Sequence, residues 1–560
     1  MANDCFEFLE DVPPHIAEVP GVYANRSGRG YRVPLNALCL LDVGLPTAVA
    51  DERIGEEALQ VTLTSGRLKP EVESTMRTHQ KRGLVKAFGR NGFHLWAPPG
   101  AGKTLVGLAW VAWHHHGPRL VITRAAARET WREECLRWTN LEPVILAGRE
   151  NAKNFQAGDF RNKVFITAWE TLIDWREPLE KLNIKMLCMD EIHAAKSHKR
   201  VKPIVQADGS VEFQDNGNTT AAARSIAGKA VWRLGLTATP VPNRVEDLWA
   251  QLDLCEPWAW GGHKAFGIRY CDGQHNGYGM VYKGSSNVPE LTERLKFSKH
   301  KVSQSSIAKH LPPKRRQIVR LDVEEQDKPA TGFASAIRTA AADVKKGDPD
   351  AADMLFETLL MEAASRKRSA VIERVVDAVK SGQKVTVFTG RRADCEALGD
   401  AVRKALDGQP IPVWVSHGGD STDRRDEIRR EYMAYRPAHD AGCVNIGTGD
   451  AWGESLNLQD TDLALFIMLP WTPRQIRQWE GRFQRMGGTR SVLIQYFVAK
   501  GTVDEDVEQV LLAKMPAVEE VVQDEALMGL ADDFRPVQTS SLLDRIAGVA
   551  AKAAARVDNG

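Results

Sequence analysis

The sequence predicts an α/β protein of two halves, each a parallel β-sheet with helices on both faces. Three observations lead there. Between Gly66 and Glu256, short apolar runs (FHLWA, RLVIT, KVFITA, MLCMD and RLGLTA) alternate with helical patterns, and each run ends in a loop. Strands buried on both faces read this way. A second set follows later in the chain: KVTVFTG, PVWVSH, CVNIGT, LALFIM and VLIQYFV. The intervening sequence is of another kind, with a Gly- and aromatic-rich stretch (RYCDGQHNGYGMVYKGSSN) and then helical periodicity from Asp348 to Lys380.

The chain of 560 residues is too long for one core. The expected division is a small N-terminal accessory unit (1–65), a first lobe (66–260), an inter-lobe and helical insertion region (261–365), a second lobe (366–515) and an acidic, then Ala-rich helical tail (516–560). GVYANRSGRGYRVPL in the first unit suggests short strands. Val201 to Thr220 reads as a surface insertion, a hairpin.

Lys and Arg number 74 against 73 Asp and Glu, a net charge of +1, which averages away any local basic stripe. The 8 cysteines form no CxxC pair, which argues against a zinc module or a disulfide framework. His114, His115 and His116 are adjacent and point different ways on a helix, so they read as surface. The N-terminus lacks the pattern of a signal peptide, and no stretch is long and apolar enough to cross a membrane. The expected location is cytoplasmic, or nuclear in a eukaryote.

Four motifs carry chemistry. The first is Ala97 to Thr104, APPGAGKT, between the apolar run FHLW and the helical pattern LVGLAWVAW. A strand, a Gly-rich turn and a helix make a phosphate cradle from backbone N–H groups and the positive helix end. Pro99, Gly100, Ala101, Gly102, Lys103 and Thr104 are the expected ATP-binding residues. Lys103 would meet the β- and γ-phosphates, and Thr104 would ligate Mg²⁺. Asp190 and Glu191, at the end of MLCMD, are the second motif. Buried carboxylates are costly without a task. Asp190 suits the Mg²⁺ shell and Glu191 the polarisation of the attacking water. Alone, the pair reads equally as a strand-end cap. Third, Thr237 and Thr239 in LTATP can couple the Asp190 region to a nucleic-acid track, although a Thr/Pro turn is the plainer reading. Fourth, Gln478 to Arg485 (QWEGRFQR) puts Arg482 and Arg485 on one helix face, from which an arginine can stabilise a transferring phosphoryl group. Gln478 is a coupling candidate.

In this order the motifs resemble superfamily two helicases, and among them the Swi/Snf-type DNA translocases, from about Leu68 to Asp506. MRTHQ, ending in Gln80, resembles the family's nucleotide-sensing glutamine motif, which makes Gln80 a candidate adenine contact. LVITRAAARETWREECLRW resembles the motif in which a helix bearing Trp follows a strand. KVTVFTGRRADCEAL resembles the strand that opens the second lobe, Ala451 to Leu458 the motif before the arginine helix, and KGTVDEDV the closing signature. RYCDG…GMVYKGSSNVPEL with HLPPKRRQIV looks like the annealing, fork-remodelling branch. The chain departs from the family at Ala97, Ser455, Gly481 and Gln484, where Gly, Gly, Asp and His are usual. QxxGRxxR is closer to strand-separating helicases. The compact length suggests a viral or bacterial version.

The resemblance implies two RecA-like lobes with an ATP cleft between them, closing on ATP and reopening on hydrolysis. Glu191, Arg482 and Arg485 would be catalytic, ATP and Mg²⁺ the cofactors, and DNA the partner, duplex or forked more than single-stranded and RNA least. One rival is a strand-separating helicase with the 201–220 insertion as its pin. Another, of a different class, is an ATP-switched scaffold on DNA, against which the hydrolytic residues argue. Trp131, Trp138, Trp169 and Trp175 are candidate base-stacking platforms, although aromatics at such positions more often pack in cores.

Overall fold

The computed structural model describes residues 5–8, 18–24, 31–34, 36–37 and 47–508, except 89, 114–116, 157, 196–201, 206–210, 215–218, 239, 241–244, 276–278, 283, 304–305, 308–310, 323–338, 340–350, 438–440, 450–457, 470–478 and 484–489. His114 to His116, Thr239, Ala451 to Asn457, Gln478, Arg485 and the expected tail therefore lie outside the described residues. The chain divides into two compact units, one of Met1–Ala308 and one beginning at Lys309.

The first unit is built on a seven-stranded, wholly parallel sheet. Its strands are β1 (Gly92–Trp96), β2 (Arg119–Thr123), β3 (Glu142–Ile145), β4 (Lys163–Ala168), β5 (Met186–Asp190), β6 (Trp232–Thr237) and β7 (Lys299–Lys301), in the order β7-β1-β6-β5-β2-β4-β3. β1, β2 and β5 are buried throughout, as their uninterrupted apolar runs require. Three helices matter for the site: α1 (Thr78–Phe88), α2 (Lys103–Trp113) and α3 (Arg128–Trp138). α2 is apolar all round and buried from Leu105 to Ala112.

The N-terminal residues form a three-stranded antiparallel sheet (Cys5–Phe8, Tyr31–Pro34, Tyr23–Ala24) and a helix, Thr47–Thr64, that packs on α1. The approach is close at Gly55, where a Cβ would lie 1.9 Å from the Val85 carbonyl oxygen. Arg294 ties the segment down. Fully buried and 4.3 Å from the Trp260 ring, it donates to Asn36 Oδ1, the Tyr270 hydroxyl and the Ala259 carbonyl, each at 2.8 Å. Within 201–220, Lys202–Val205 and Val211–Gln214 pair as an antiparallel hairpin.

The second unit has a six-stranded parallel sheet of β8 (Lys314–Leu321), β9 (Lys384–Thr389), β10 (Val413–Ser416), β11 (Cys443–Thr448), β12 (Leu463–Phe466) and β13 (Val492–Ala499), ordered β8-β13-β12-β9-β11-β10. The two parallel sheets with flanking helices are the fold class that the sequence predicts. Residues 261–365 are shared between the units. Helices His263–Tyr270 and Val288–Ser298, with β7, join the first, while β8 forms an edge of the second sheet ahead of KVTVFTG. In the Gly-rich stretch, Gln274–His275 and Met280–Val281 pair as a small antiparallel hairpin. The periodicity from Asp348 to Lys380 resolves into two helices, Ala351–Arg366 and Arg368–Lys380.

Candidate active site

Parallel pairing brings the sequence motifs of the first unit to one edge of its sheet. Thr237 is in register with Trp96, and Leu236 with both Leu95 and Asp190. The C-terminal ends of β1, β6 and β5 therefore lie side by side, the usual position for ligand sites in open α/β sheets. The Ala97 N–H donates to the Thr237 carbonyl at 3.0 Å, which fastens the root of the Gly-rich loop to β6.

The loop turns through Gly100 at φ 79° and Gly102 at φ 74°, values that suit glycine and strain other residues. Lys103 then opens α2, Thr104 lies in its first turn, and the helix N-terminus faces the loop. Lys103 Nζ donates to the Ala97 carbonyl at 3.1 Å, so the ammonium lies over the loop. Pro99 and Ala101 form the turn, closed by Ala101 N–H to the Pro98 carbonyl at 3.2 Å.

Gln80 is buried under this loop. Its amide nitrogen donates to the Ala101 and Gly102 carbonyls at 3.4 and 3.3 Å, and its amide oxygen accepts from Arg77 N–H at 2.8 Å. His79 adds a contact of 3.1 Å to the Ala101 carbonyl. The glutamine expected at the adenine thus braces the loop backbone in this structure.

Asp190 is held in a network that the sequence did not reveal. Its Oδ2 accepts from the Thr123 hydroxyl and from Trp131 Nε1, both at 2.9 Å, and Trp169 Nε1 donates to its carbonyl at 2.8 Å. Burial first, and then the neighbouring Glu191 charge, push its carboxyl up to about 6, against the lowering effects of Lys103 and the two donors. Trp131 reaches this position because residue 107 is glycine: a Cβ there would lie 2.7 Å from Trp131 Cη2. That pairing of a helix glycine with a tryptophan 24 residues on was the available signal.

Trp131, Trp169 and Trp175 are all buried, and Trp138 donates to Glu134 on its own helix and stacks under Arg137. All four belong to the protein's own packing and bonding.

Glu191 has a left-handed backbone, φ 47°, the kind of strained conformation that structure around a site sustains. Its carboxylate lies 3.2 Å from His193 Nδ1, which in turn lies 2.9 Å from the Thr237 hydroxyl. His193 is fully buried and lies between the Glu191 carboxylate and β6.

Among the described residues no three His, Cys, Asp or Glu side chains gather as a metal cage. Thr104 and Asp190 suit an octahedral Mg²⁺ that takes its remaining ligands from phosphates and water. The positive loop, the helix end and the Lys103 charge suit a polyphosphate.

In the second unit, Arg482 is buried in a turn beginning at Trp479. Its N–H donates to the Trp479 carbonyl at 3.1 Å, and its carbonyl accepts from Leu458 N–H at 3.0 Å. Trp479 stacks on Phe388 and Phe466, with ring centroids 5.5 and 5.9 Å away. Glu480 is the functional candidate that sequence reasoning missed. Its buried carboxylate accepts from Lys314 Nζ at 2.8 Å, Arg316 Nε and Nη2 at 2.6 and 2.5 Å, and the Tyr496 hydroxyl at 2.8 Å. Burial raises its carboxyl, but the Arg316 hydrogen bonds and the Lys314 and Arg316 charges outweigh it and leave it below the ordinary value.

The closing signature is a fastener. Thr502 caps the helix Val503–Val507, and Asp504 accepts from Ala499 N–H at 2.9 Å and pairs with the buried Lys367 at 2.6 Å.

The SNF2-related domain family matches residues 72–206, and the helicase conserved C-terminal domain family matches residues 366–487. The chain is similar to the Xenopus laevis SWI/SNF-related matrix-associated actin-dependent regulator of chromatin subfamily A-like protein 1, 28% identical over 437 residues, 76% of this chain and 42% of the relative. It is also similar to human DNA annealing helicase and endonuclease ZRANB3, 25% identical over 448 residues, 76% of this chain and 38% of the relative. The chain thus spans less than half the length of these relatives. The solved Sulfolobus solfataricus SWI2/SNF2 ATPase core in complex with dsDNA aligns at 18% identity and a TM-score of 0.36, over 84% of this chain and 96% of that one. A match to the SNF2-related domain family is thus followed, in the same chain, by a match to the helicase conserved C-terminal domain family.

Proposed function

We propose that this chain is an ATP-dependent DNA translocase that couples hydrolysis to movement along duplex or forked DNA. The observation that carries the reading is the alignment, at one sheet edge, of the Lys103 loop with Asp190 and Glu191. One group suits phosphate, one the metal and one the attacking water, and the two strands that flank β6, β1 and β5, present all three.

Lys103 and the loop N–H groups would hold the β- and γ-phosphates. Thr104 and Asp190 would hold Mg²⁺, which, when bound, neutralises charge on the phosphates. Glu191 would take a proton from the attacking water, and Arg482 and Arg485 would stabilise the charge of the transferring group. Gln80 would keep the loop in shape. His193 and Thr237 would carry the state of the carboxylates to β6, the strand that leads into LTATP. Contacts on the track would go to phosphates, and so be indifferent to base sequence.

The relatives' printed names, one of them an annealing helicase, support DNA as the track. A second reading, strand separation, is favoured by one observation: the hairpin of Lys202–Val205 and Val211–Gln214 has the shape of a pin. ATP turnover on blunt duplex, fork, single strand and RNA decides between them. The proposal expects duplex and fork to stimulate most. Stimulation by single strands with none by duplex would favour the pin.

A further inference from the structure

We propose that α1 and the sheet edge at β7 form a basic band that grips the phosphate backbone of nucleic acid and runs away from the nucleotide loop, which its His79 end touches. The inference rests on the motor reading for its partner.

α1 has the sequence THQKRGLVKAF, without an acidic residue, and places His79, Arg82 and Lys86 on one face. Between them sits Gly83, where a Cβ would lie 3.1 Å from Leu95 Cδ1 and 3.7 Å from His300 Cδ2. That glycine lets the basic face of α1 come down beside β7. β7 reads Lys299-His300-Lys301 and, among the described residues, is an edge strand paired to β1. Lys296 precedes it at the end of its helix, and Lys299 Nζ lies 4.7 Å from the Trp96 ring.

The lysines and the arginine of this band act on one another and on His300. Burial, and then Lys301 and Lys296, push Lys299 down to about 8. Burial, and then Lys86, Arg82, Lys299 and His79, push His300 down to about 4. Among the described residues, Arg82, Lys86 and Lys299 have no carboxylate in ion-pair range, whereas Lys296 pairs with Glu293 at 2.5 Å. A cluster of like charge repels itself in the free protein, and an anion relieves that repulsion.

The shape favours a chain of phosphates over a single one. The row from His79 to Lys86 extends about 10 Å along α1, and the band then wraps the sheet edge to Lys301. Duplex DNA offers a charge about every 1.7 Å of its axis. Lysines on an edge strand also block edge-to-edge pairing, which would explain β7 but not α1.

The test measures binding of a fluorescent blunt duplex to the full chain over a series of salt concentrations, for wild type and for Arg82→Gln/Lys86→Gln. Each lost phosphate contact lowers the slope of log affinity against log salt by about 0.9. The double variant should lose about 1.8 of slope and at least tenfold in affinity at moderate salt. Unchanged slope and affinity would overturn the proposal, as would a raised ATP KM with the DNA slope intact or self-association alone. Lys103→Ala runs beside it: lost turnover there with an unchanged double variant would sink the band and leave the motor standing. Wild type that binds no duplex at any salt would instead sink the motor reading itself.

Discussion

His193 Nδ1 lies 2.9 Å from the Thr237 hydroxyl, and both side chains are fully buried. The same nitrogen lies 3.2 Å from the Glu191 carboxylate, so one imidazole bridges the proposed hydrolytic carboxylate and the end of β6. Removing the bridge should uncouple turnover from the track. Thr237→Val keeps the shape but removes the hydroxyl. It should retain ATP binding and DNA-free turnover while losing at least tenfold of the stimulation by duplex. A variant with full stimulation would show that the bridge is only packing.

Asp190 offers a trade of stability against function. Its folded-state value of about 6 lies above the ordinary carboxylate value of 3.8, so ionisation opposes folding. The unfavourable effect is absent below pH 4, grows as pH rises through the window from about 4 to 6, and is complete above it. Asp190→Asn removes the charge and keeps an oxygen that can accept from Thr123 and Trp131. The variant should be more stable than wild type at pH 7.5, by an amount on the order of 2 kcal/mol, and equal to it near pH 4. It should not hydrolyse ATP. Denaturant unfolding at the two pH values checks the sign; a variant less stable at pH 7.5 contradicts it.

Glu480 should matter through Arg482. Glu480→Gln leaves Lys314 and Arg316 beside a neutral group. Both cations are partly exposed, at 22% and 29%, and can turn to water, so the fold should survive at a cost of about 2 kcal/mol. The turn carrying Arg482 should loosen, lowering kcat at least tenfold while the KM for ATP changes little. Equal loss in kcat and in the amount of folded protein would mean a purely structural role.

The strands that carry apolar runs, all but β3, β7 and β8, and the Gly-rich loop were legible because their signals are local: an apolar run, a Gly-rich turn, a helical pattern. β7 was not legible, since Lys-His-Lys lacks the apolar pattern of a buried strand and, among the described residues, is held at an edge by β1. The cationic partners of Glu480, Arg316 and Lys314, lie 164 and 166 residues away in sequence, beyond any local pattern. Asp190 was read as a candidate Mg²⁺ ligand from its place at a strand end, but its donors Thr123 and Trp131 come from β2 and α3, which only the folded sheet brings to β5. Gln80 was read from its motif as a candidate adenine contact, while its bonds to the Ala101 and Gly102 carbonyls span more than 20 residues and have no local signal.

The proposed division of labour predicts that Glu191→Gln and Arg482→Ala both bind ATP with Mg²⁺ yet turn over slowly. Loss of such an arginine costs about 10³-fold or more in rate. Equilibrium binding of a fluorescent ATP analogue, with single-turnover hydrolysis, separates the two quantities. If Arg482→Ala lost ATP affinity but hydrolysed normally at saturation, its assigned role would be wrong.

The most direct measurement is steady-state ATP turnover of wild type and Lys103→Ala, with and without blunt duplex DNA. The account predicts turnover by wild type that rises with duplex. It also predicts turnover near background for a folded Lys103→Ala, whose loop has lost the charge that meets the phosphates. Wild-type-like turnover by the folded variant, or no response of wild type to DNA, would contradict it.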